Sequence, residues 1–517
     1  MTTTTAEASK PYAEHQNEEE DNEENSSSTI SSKPPMQIKI CPQCQGSGIL
    51  PPSNNSHLND EDDLEKVDRS TTASNHNNIP TTVPSSVTTL KVAIVGGGLA
   101  GLALATACRH RGIQYHIFER DEHFFDRSQG YGLTMQQASK ALRAFGIVPL
   151  KDAMISTKHV VHTADGTIVG QWGWRQWGAG RRQQSKEREG TAASHPKRQN
   201  FHVPRQSLRH QLLQAAGGEL AVQWNHRLLS FHETEDHAVE LTFQVGDKIV
   251  TYPDKYDLLV GADGIRSLVR QQYIGEEETP LQYLDCIVIL GISPIPEQLR
   301  QQEETSSSSL LDGATVFQTA DGTTRIYMMP YSTSEYMWQL SFPMSESDAL
   351  NLSRSGPQAL KEEAMAKCYS WHAPIPQILL ETPVQLISGY PVYDRTVLEP
   401  EQLRKPSSSL SRVTLIGDAC HPMSPFKGQG ANQALLDALS LARALYRYAC
   451  VRRTTTKQTT ASPDNSELSN DYDLAPEKKL LSQISAQFER EMLERSAAKV
   501  QASAEAAQFL HTPIAIQ

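Results

Sequence analysis

Lys91-Val-Ala-Ile-Val95-Gly96-Gly97-Gly98-Leu99-Ala100-Gly101 is the stretch from which the rest of the chain is read. It runs from a short buried-strand pattern into glycines at 96, 98 and 101, after which Leu102 to Arg111 reads as a helix. A second strand pattern, Tyr115-His-Ile-Phe118, ends at Glu119, 18 residues past the last of those glycines. A GxGxxG run alone says little. Between a strand and a helix, with an acid about 20 residues further on, it is the complete fingerprint of a dinucleotide site. Gly96 permits the tight turn, Gly98 lets the backbone approach a pyrophosphate, and Gly101 allows close packing of helix on strand. Leu99 and Ala100 belong to the same candidate cofactor site, and the helix that follows faces the phosphates with its free N–H groups and positive dipole end. Glu119 suits the two ribose hydroxyls of an adenosine and repels a 2′-phosphate; its neighbour Arg120 belongs to the same candidate site.

The chain has 517 residues and a formal net charge of −12. Residues 1–88 carry fourteen acidic against five basic side chains, a net of −9, so the remaining 429 residues hold only −3. This balance disfavours a basic nucleic-acid binder. A mean hydropathy of −0.48 argues against an integral membrane protein. The longest apolar run, Val92 to Cys108, is shorter than the ~20 residues of a spanning helix and is interrupted by glycines. The first thirty residues show neither a secretory signal nor a transit peptide, with Glu18 to Glu24 almost continuously acidic. Seven scattered cysteines (41, 44, 108, 286, 368, 420 and 450) make no disulfide framework, which points to a reducing, cytoplasmic setting.

Residues 1–88 are rich in Thr, Ser, Asn, Glu and Asp, and the composition predicts a disordered tail. One island in it, Cys41-Pro-Gln-Cys44, is half of a zinc-ribbon pattern, but no second CxxC exists and no metal site is expected. A bland or redox-sensitive turn is the alternative. Gln176–Asn200, Gln301–Leu311 and Arg452–Lys479 read as surface insertions. The first is basic and begins beside Trp172, Trp174 and Trp177, either an exposed loop or a mobile flap over a pocket. From Pro476 to His511 the spacing of Leu480, Leu481, Ile484, Phe488, Met492, Leu493 and Val500 predicts one long amphipathic helix.

Two further segments resemble each other in form. Tyr256-Asp-Leu-Leu-Val260-Gly-Ala-Asp263-Gly264 is a strand running into a glycine-flanked acid. Arg412-Val-Thr-Leu-Ile416-Gly417-Asp418-Ala-Cys-His421-Pro422 is another, continuing through Pro425, Lys427, Gly428-Gln-Gly430-Ala431-Asn432 into a helix to about Tyr448. With the glycine fingerprint, these match in order the three motifs of the class A flavoprotein monooxygenases, the para-hydroxybenzoate hydroxylase-like group, which also holds salicylate, ubiquinone-biosynthesis and tetracycline-inactivating enzymes. His202-Val-Pro-Arg205-Gln-Ser-Leu208 adds a looser match. The resemblance covers about Leu90 to Tyr448.

The resemblance implies an α/β architecture: a Rossmann-like FAD-binding domain, an interleaved mixed-sheet substrate domain and C-terminal helices. It assigns 89–170 to the FAD-binding βαβ unit, and 171–281 to segments holding the basic insertion 176–200 and the Asp263-Gly264 motif. The substrate sheet takes 282–395 and the Gly417-Asp418 motif with its helix 396–451; beyond the resemblance, composition makes 452–479 a flexible insertion and apolar spacing makes 480–517 a terminal helix. FAD is the implied cofactor and NAD(P)H the co-substrate. Asp418 is implied to hold the ribityl chain, Arg205 to contact the cofactor, and Pro425 to lie by the reactive edge of the flavin. The backbone of Gly428, Gly430, Ala431 and Asn432 would face its pyrimidine edge. Asp263 serves either cofactors or a turn, and His421 reads as structural more readily than as a base.

The implied reaction is hydroxylation or epoxidation of a small aromatic or other electron-rich compound by way of a flavin hydroperoxide. Dioxygen, NAD(P)H and the substrate are the expected partners, with no nucleic acid and no membrane segment. A reductase, a halogenase or a non-catalytic regulator of the same fold are the alternatives. Trp172-Gly-Trp174 has halogenase-like spacing without the Ile-Pro that follows it in those enzymes. In the substrate region, Thr324–Pro330 and Glu335–Pro343 read as a hairpin. Tyr327, Met329, Trp338, Leu340 and Phe342 alternate along it as pocket wall or as core.

Overall fold

The computed structural model describes residues 90–126, 131–173, 200–297, 310–404, 411–459 and 475–516. The acidic segment with Cys41 and Cys44, the basic insertion with Trp174 and Trp177, and the Thr305–Ser309 run lie outside the described residues.

β1 (Lys91–Val95) buries all of its residues but Lys91, because it lies at the middle of a five-stranded parallel sheet. Its neighbours are β2 (Gln114–Phe118) on one side and β12 (Leu258–Gly261) on the other. β8 (Val222–Gln223) and β18 (Val413–Leu415) form the edges. Parallel strands covered on both faces read as continuous apolar runs, as β1, β12 and β18 do. The expected Rossmann-like α/β core is therefore present. α1 (Leu99–His110) starts at the first residue after Gly98, three positions before the spacing of apolar residues suggested. Leu99 through Cys108 are all buried, since α1 lies on the sheet and also packs against α3 (Arg205–Ala215) and α9 (Gly430–Thr459). Its alanines allow that three-sided packing.

The second sheet has seven strands. β17 (Ile387–Asp394), β13 (Gln282–Pro294), β16 (Glu335–Pro343), β15 (Arg325–Pro330) and β14 (Thr315–Ala320) pair antiparallel; β5 (Lys158–Thr163) joins β14 in parallel and β6 (Ile168–Trp172) closes the edge. Strands from before and after β12 thus build one sheet, which interleaves the two domains along the chain. One face packs on α5 (Glu346–Arg354), α6 (Pro357–Cys368) and α7 (Ile375–Glu381). The other carries Val288, Met329, Met337 and Val392, against which Tyr131 and Phe426 pack from the nucleotide-binding side.

The predicted hairpin forms as β15 and β16, but its register sorts the side chains. Tyr327 and Met329 face the nucleotide-binding side, whereas Trp338, Leu340 and Phe342 are core against the helices. Those three are not pocket residues.

Two small antiparallel sheets complete the scaffold. β3 (Gly132–Met135), β7 (Asn200–Pro204) and β4 (Met154–Ser156) form one. β9 (Arg227–Glu233), β10 (Val239–Val245) and β11 (Lys248–Thr251) form the other, pinned where Phe243 stacks on Phe118 at 4.4 Å. Short helices α2 (Ser139–Ala144), α4 (Leu268–Tyr273) and α8 (Pro400–Leu403) cap loops.

α9 runs beyond Tyr448 to Thr459, and α10 (Ala475–Phe509) begins before residue 480. No glycine or proline interrupts the chain between Ala431 and Pro463, and Pro476 falls in the first turn of α10, where its missing N–H costs nothing. Of the expected flexible insertion 452–479, residues 460–474 lie outside the described residues and the rest is helical. α10 buries Leu481, Phe488, Met492, Leu493 and Val500, the stripe its spacing predicts, and Arg404 pairs at 2.7 Å with the buried Glu489. Among the described residues no helix is long and apolar enough to cross a membrane.

Asp394, the last residue of β17, is 3 % exposed and its Oδ1 has no partner among the described residues. Burial lifts its carboxyl from the ordinary 3.8 to about 6. An acid whose folded pKa is raised contributes stability that is present below pH 4 and lost as the pH climbs to 6. Asp394→Asn should accordingly melt higher than the native chain at pH 7.5, with the gap closing near pH 4. Thermal unfolding at both pH values checks this, and equal gaps would contradict it.

Candidate active site

At the nucleotide end, Gly96 has φ +113°, and a Cβ there would come to 2.3 Å from the Ala262 carbonyl oxygen. A Cβ on Gly101 would come to 1.9 Å from the Gly96 oxygen. Both glycines are demanded by the polypeptide itself. Gly98 is not: its backbone is ordinary (φ −79°) and nothing lies within 4 Å of its would-be Cβ. A side chain there would stand in open space before the N-terminus of α1, which no side chain caps. The first N–H groups of α1, beginning with Leu99 and Ala100, are therefore without helical partners and face that space.

Glu119 is buried beside the loop. Its Oε2 accepts from the Gly97 N–H at 2.6 Å and its Oε1 from the Asp121 N–H at 3.1 Å. Arg120 is exposed, with no hydrogen bond or ion pair among the described residues. Sequence reading passed over Arg209. From α3 its Nε donates to the Gly97 carbonyl at 2.9 Å and an Nη donates to Phe124 at 3.0 Å, bracing the loop from behind.

At the other end, β18 delivers Gly417 in a left-handed conformation, φ +59°. The Gly417 N–H donates to Asp437 Oδ2 at 2.9 Å, and His421 Nε2 meets the same oxygen at 2.7 Å. Arg495 of α10 pairs with Oδ1. Burial alone would push the Asp437 carboxyl up, but His421, Arg495 and the Gly417 N–H together hold it below the usual range. Burial likewise opposes charge on His421, and Asp437 outweighs it, so the imidazole sits above its ordinary value. His421 is buried in this cluster and is a structural group.

Asp418 points the other way. It is exposed although protein surrounds it, so its carboxyl lines an internal cleft. Burial raises its pKa, while His421 and Arg205 act to lower it. Arg205 opens α3 with its guanidinium 5.4 Å from the Tyr131 ring centre, and its charge reaches both Asp418 and Tyr390. Gly430, the first residue of α9, is so close that a Cβ would lie 3.6 Å from Asp418 Oδ1. Pro425 starts a 3₁₀ turn ending at Lys427, Gly428 follows it, and Ala431 is half-buried in the first turn of α9. Arg205, Asp418, Pro425, Gly428, Gly430 and Ala431 thus come together at this end; Gly96, Gly98, Leu99, Ala100, Gly101 and Glu119 gather at the other.

Two expected residues behave differently. Asn432 is fully buried and its amide is consumed: Oδ1 accepts from Gln136 (2.9 Å) and Ala138 (3.1 Å), while Nδ2 donates to Thr134 and Gly428 (both 2.9 Å). It ties the loop after β3 to the start of α9, leaving only its backbone to face a ligand. Asp263 spends its carboxylate on the start of α4, accepting from Leu268 N–H at 2.8 Å, Val269 N–H at 3.2 Å and the Ser267 hydroxyl. That geometry is the turn-holding one.

The donor set suits FAD: unpaired N–H groups with an uncluttered Gly98 for a pyrophosphate, an acid at the β2 end, and an accessible carboxylate beside a second helix N-terminus.

Comparison with known proteins gives the same class. The FAD binding domain family matches residues 89–458. The FAD-dependent monooxygenase thnD of Trichoderma harzianum is 27% identical over 380 residues, covering 69% of this chain and 83% of its own. The 6-hydroxynicotinate 3-monooxygenase of Bordetella bronchiseptica is 26% identical over 353 residues, covering 68% and 82%. Among solved structures, Klebsiella pneumoniae HpxO complexed with FAD and uric acid superposes with a TM-score of 0.59 at 18% identity, over 82% of this chain and 89% of that one. The chain belongs to the FAD binding domain family and, within it, to the class A FAD-dependent monooxygenases. FAD is its cofactor.

Because the polypeptide tolerates a side chain at 98 and not at 101, two variants should separate cofactor from fold. Gly98→Val should keep its melting temperature without FAD, yet bind FAD at least about 100-fold more weakly. Gly101→Val should fail to fold, since its Cβ meets backbone. Calorimetric unfolding and FAD titration measure both; normal FAD affinity in Gly98→Val would refute the placement of the pyrophosphate. Arg495→Met should leave Asp437 with one cation fewer and lower FAD affinity without touching the ligand, read by the same titration.

Proposed function

We propose that this enzyme inserts one atom of dioxygen into a small electron-rich aromatic or related compound at the expense of NAD(P)H. The balance is substrate, dioxygen, NAD(P)H and a proton giving hydroxylated or epoxidised product, water and NAD(P)⁺. Bound FAD supplies the redox and oxygen-activating chemistry, and the chain supplies binding, orientation and a dry space. The observation that carries the reading is Asp418. It is an accessible carboxylate inside the protein, set between the N-terminus of α9 and the inner face of the seven-stranded sheet.

In this reading Asp418 accepts hydrogen bonds from the ribityl hydroxyls. The free N–H groups of Gly430, Ala431 and Asn432 favour negative charge at the facing ring edge, by ~1–2 kcal/mol where partly buried. Glu119 takes the ribose hydroxyls by exchanging one of its backbone donors. Pro425 stands at the other edge, and the Met329–Met337 wall keeps water out. The Gly98 space and Arg205 support the phosphate and cofactor contacts, and Asp263 acts through the turn it holds. The five described cysteines are free, which supports a reducing, cytoplasmic setting.

The purified chain should be yellow and should oxidise NADH or NADPH faster when a substrate from a panel of phenols, quinone precursors and hydroxypyridines is added. Mass spectrometry should find the product one oxygen heavier. A protein that neither carries nor takes up FAD sinks this reading. Asp418→Ala should lose FAD retention by at least tenfold with little change in the melting temperature of the flavin-free chain.

A further inference from the structure

The chain does not stop where α10 does. After Phe509 it turns through Leu510, His511 and Thr512 and closes in a short 3₁₀ turn, Pro513–Ile516. That turn lies against the β14–β15 connection, where a Cβ on Gly322 would come to 3.2 Å from the Pro513 Cα. His511 is 9 % exposed, and its ring is held on three sides. Nδ1 is 2.6 Å from the Ala507 carbonyl oxygen, and Nε2 is 2.9 Å from the Ser341 hydroxyl of β16. Edge-on, the ring meets Phe426 with 5.5 Å between centres.

These partners fix where the ring carries its hydrogen. A carbonyl oxygen only accepts, so Nδ1 is protonated and donates to Ala507. Burial holds the imidazole below its ordinary pKa; the Ala507 bond works against that and Arg325 adds to it, and the ring is neutral at pH 7. Nε2 is then bare and accepts from the Ser341 hydroxyl, itself wholly buried. One neutral tautomer uses both nitrogens and sets the ring in one orientation.

Phe426 is what that orientation holds. It is the middle residue of the 3₁₀ turn Pro425–Lys427, and its side chain packs against the cluster of Val288, Met329, Met337 and Val392 on the seven-stranded sheet. Ser424, on the other side of Pro425, is fastened to α10 as well: its buried hydroxyl donates to the Ser503 carbonyl at 2.6 Å. Pro425 therefore lies between two fastenings, Ser424 to α10 and Phe426 to His511. The second of these also reaches the sheet, through Ser341.

We propose that His511 is a positioning residue for the reaction: it clamps Phe426 against the sheet and so keeps the Pro425 edge of the cofactor site closed to water. The inference rests on the monooxygenase reading of that site. His511 is placed against neither cofactor nor substrate and acts through Phe426. Water at that edge diverts the reducing power. NAD(P)H, dioxygen and a proton then give NAD(P)⁺ and hydrogen peroxide, in place of oxygenated product and water.

The test uses the full chain with FAD bound and two readouts. One is the shape of the flavin absorption band, whose vibronic shoulders blur when water reaches the ring. The other is the hydrogen peroxide released per NAD(P)H consumed, with the most stimulating compound of a panel of phenols, quinone precursors and hydroxypyridines. His511→Leu removes the ring and both hydrogen bonds. It should blur the shoulders and raise the peroxide yield at least about threefold, with the KM for that compound within about twofold of the native value. His511→Gln, which can keep one of the two hydrogen bonds, should fall between. Phe426→Leu should repeat the change, and His511→Leu added to it should do little more, because both act through one contact. Ser341→Ala deletes a single hydroxyl, should shift both readouts in the same direction, and guards against a His511 variant that does not fold. Sharp shoulders with an unchanged peroxide yield, effects of His511→Leu and Phe426→Leu that simply add, or a change in KM alone overturns the proposal. A native chain that takes up no FAD fails the monooxygenase reading and this inference with it. A yellow chain that no compound stimulates fails that reading, and the absorption band then decides this inference alone.

Discussion

The Asp437 carboxylate is the interaction on which the site depends. One oxygen receives the N–H of Gly417 and the ring of His421, the other receives Arg495. A buried anion with these three partners has its desolvation offset, and removing any partner exposes the remaining cost. The geometric consequence is local. Gly417 is held in a left-handed turn close against Ala100, where a Cβ would sit 3.0 Å from the alanine methyl. That turn sends the next side chain, Asp418, away from the core and into the cleft. The direction of the Asp418 side chain is therefore set by Asp437, nineteen residues further along the chain.

α10 extends the same control across the molecule. Arg495 holds Asp437, the Ser424 hydroxyl donates to the Ser503 carbonyl at 2.6 Å, and His511 reaches Ser341 of the substrate-side sheet. α10 and the turn that follows it fasten the 417–430 loop on one side and the sheet on the other. The α9–α10 pair thus ties the 417–430 loop to the substrate-side sheet, and such rigid support is what a precise site requires.

Much of this was legible in the chain. The glycine loop was, because its demands are local: a strand, a turn without room for a Cβ and a helix start within eleven residues, with Glu119 at a fixed spacing. Gly417-Asp418 was too, because a strand ending in glycine and acid is a short-range pattern. Asp437, Arg495 and Arg209 were not. Their partners lie from 16 to 112 residues away, and nothing beside them in the chain marks an arginine or aspartate as buried. Asn432 and Asp263 were expected to face a cofactor, but their side chains hold the backbone in place. The end of α9 lies at Thr459, past the expected Tyr448, whereas the start of α10 at Ala475 falls within one residue of the expected Pro476.

The strand Glu335–Pro343 shows where the boundary falls. Apolar side chains occupy both faces of β16, so alternation cannot say which row lines the cleft. By itself the sequence determined the nucleotide-binding α/β class and the cofactor, since both rest on patterns among residues near in the chain. Only the tertiary structure decided that Trp338, Leu340 and Phe342 are core against the helices and that Gln339 and Ser341 lie on the opposite face of β16. Those outcomes depend on strand register and on which layer covers each face, and both are settled by contacts between segments far apart in the chain.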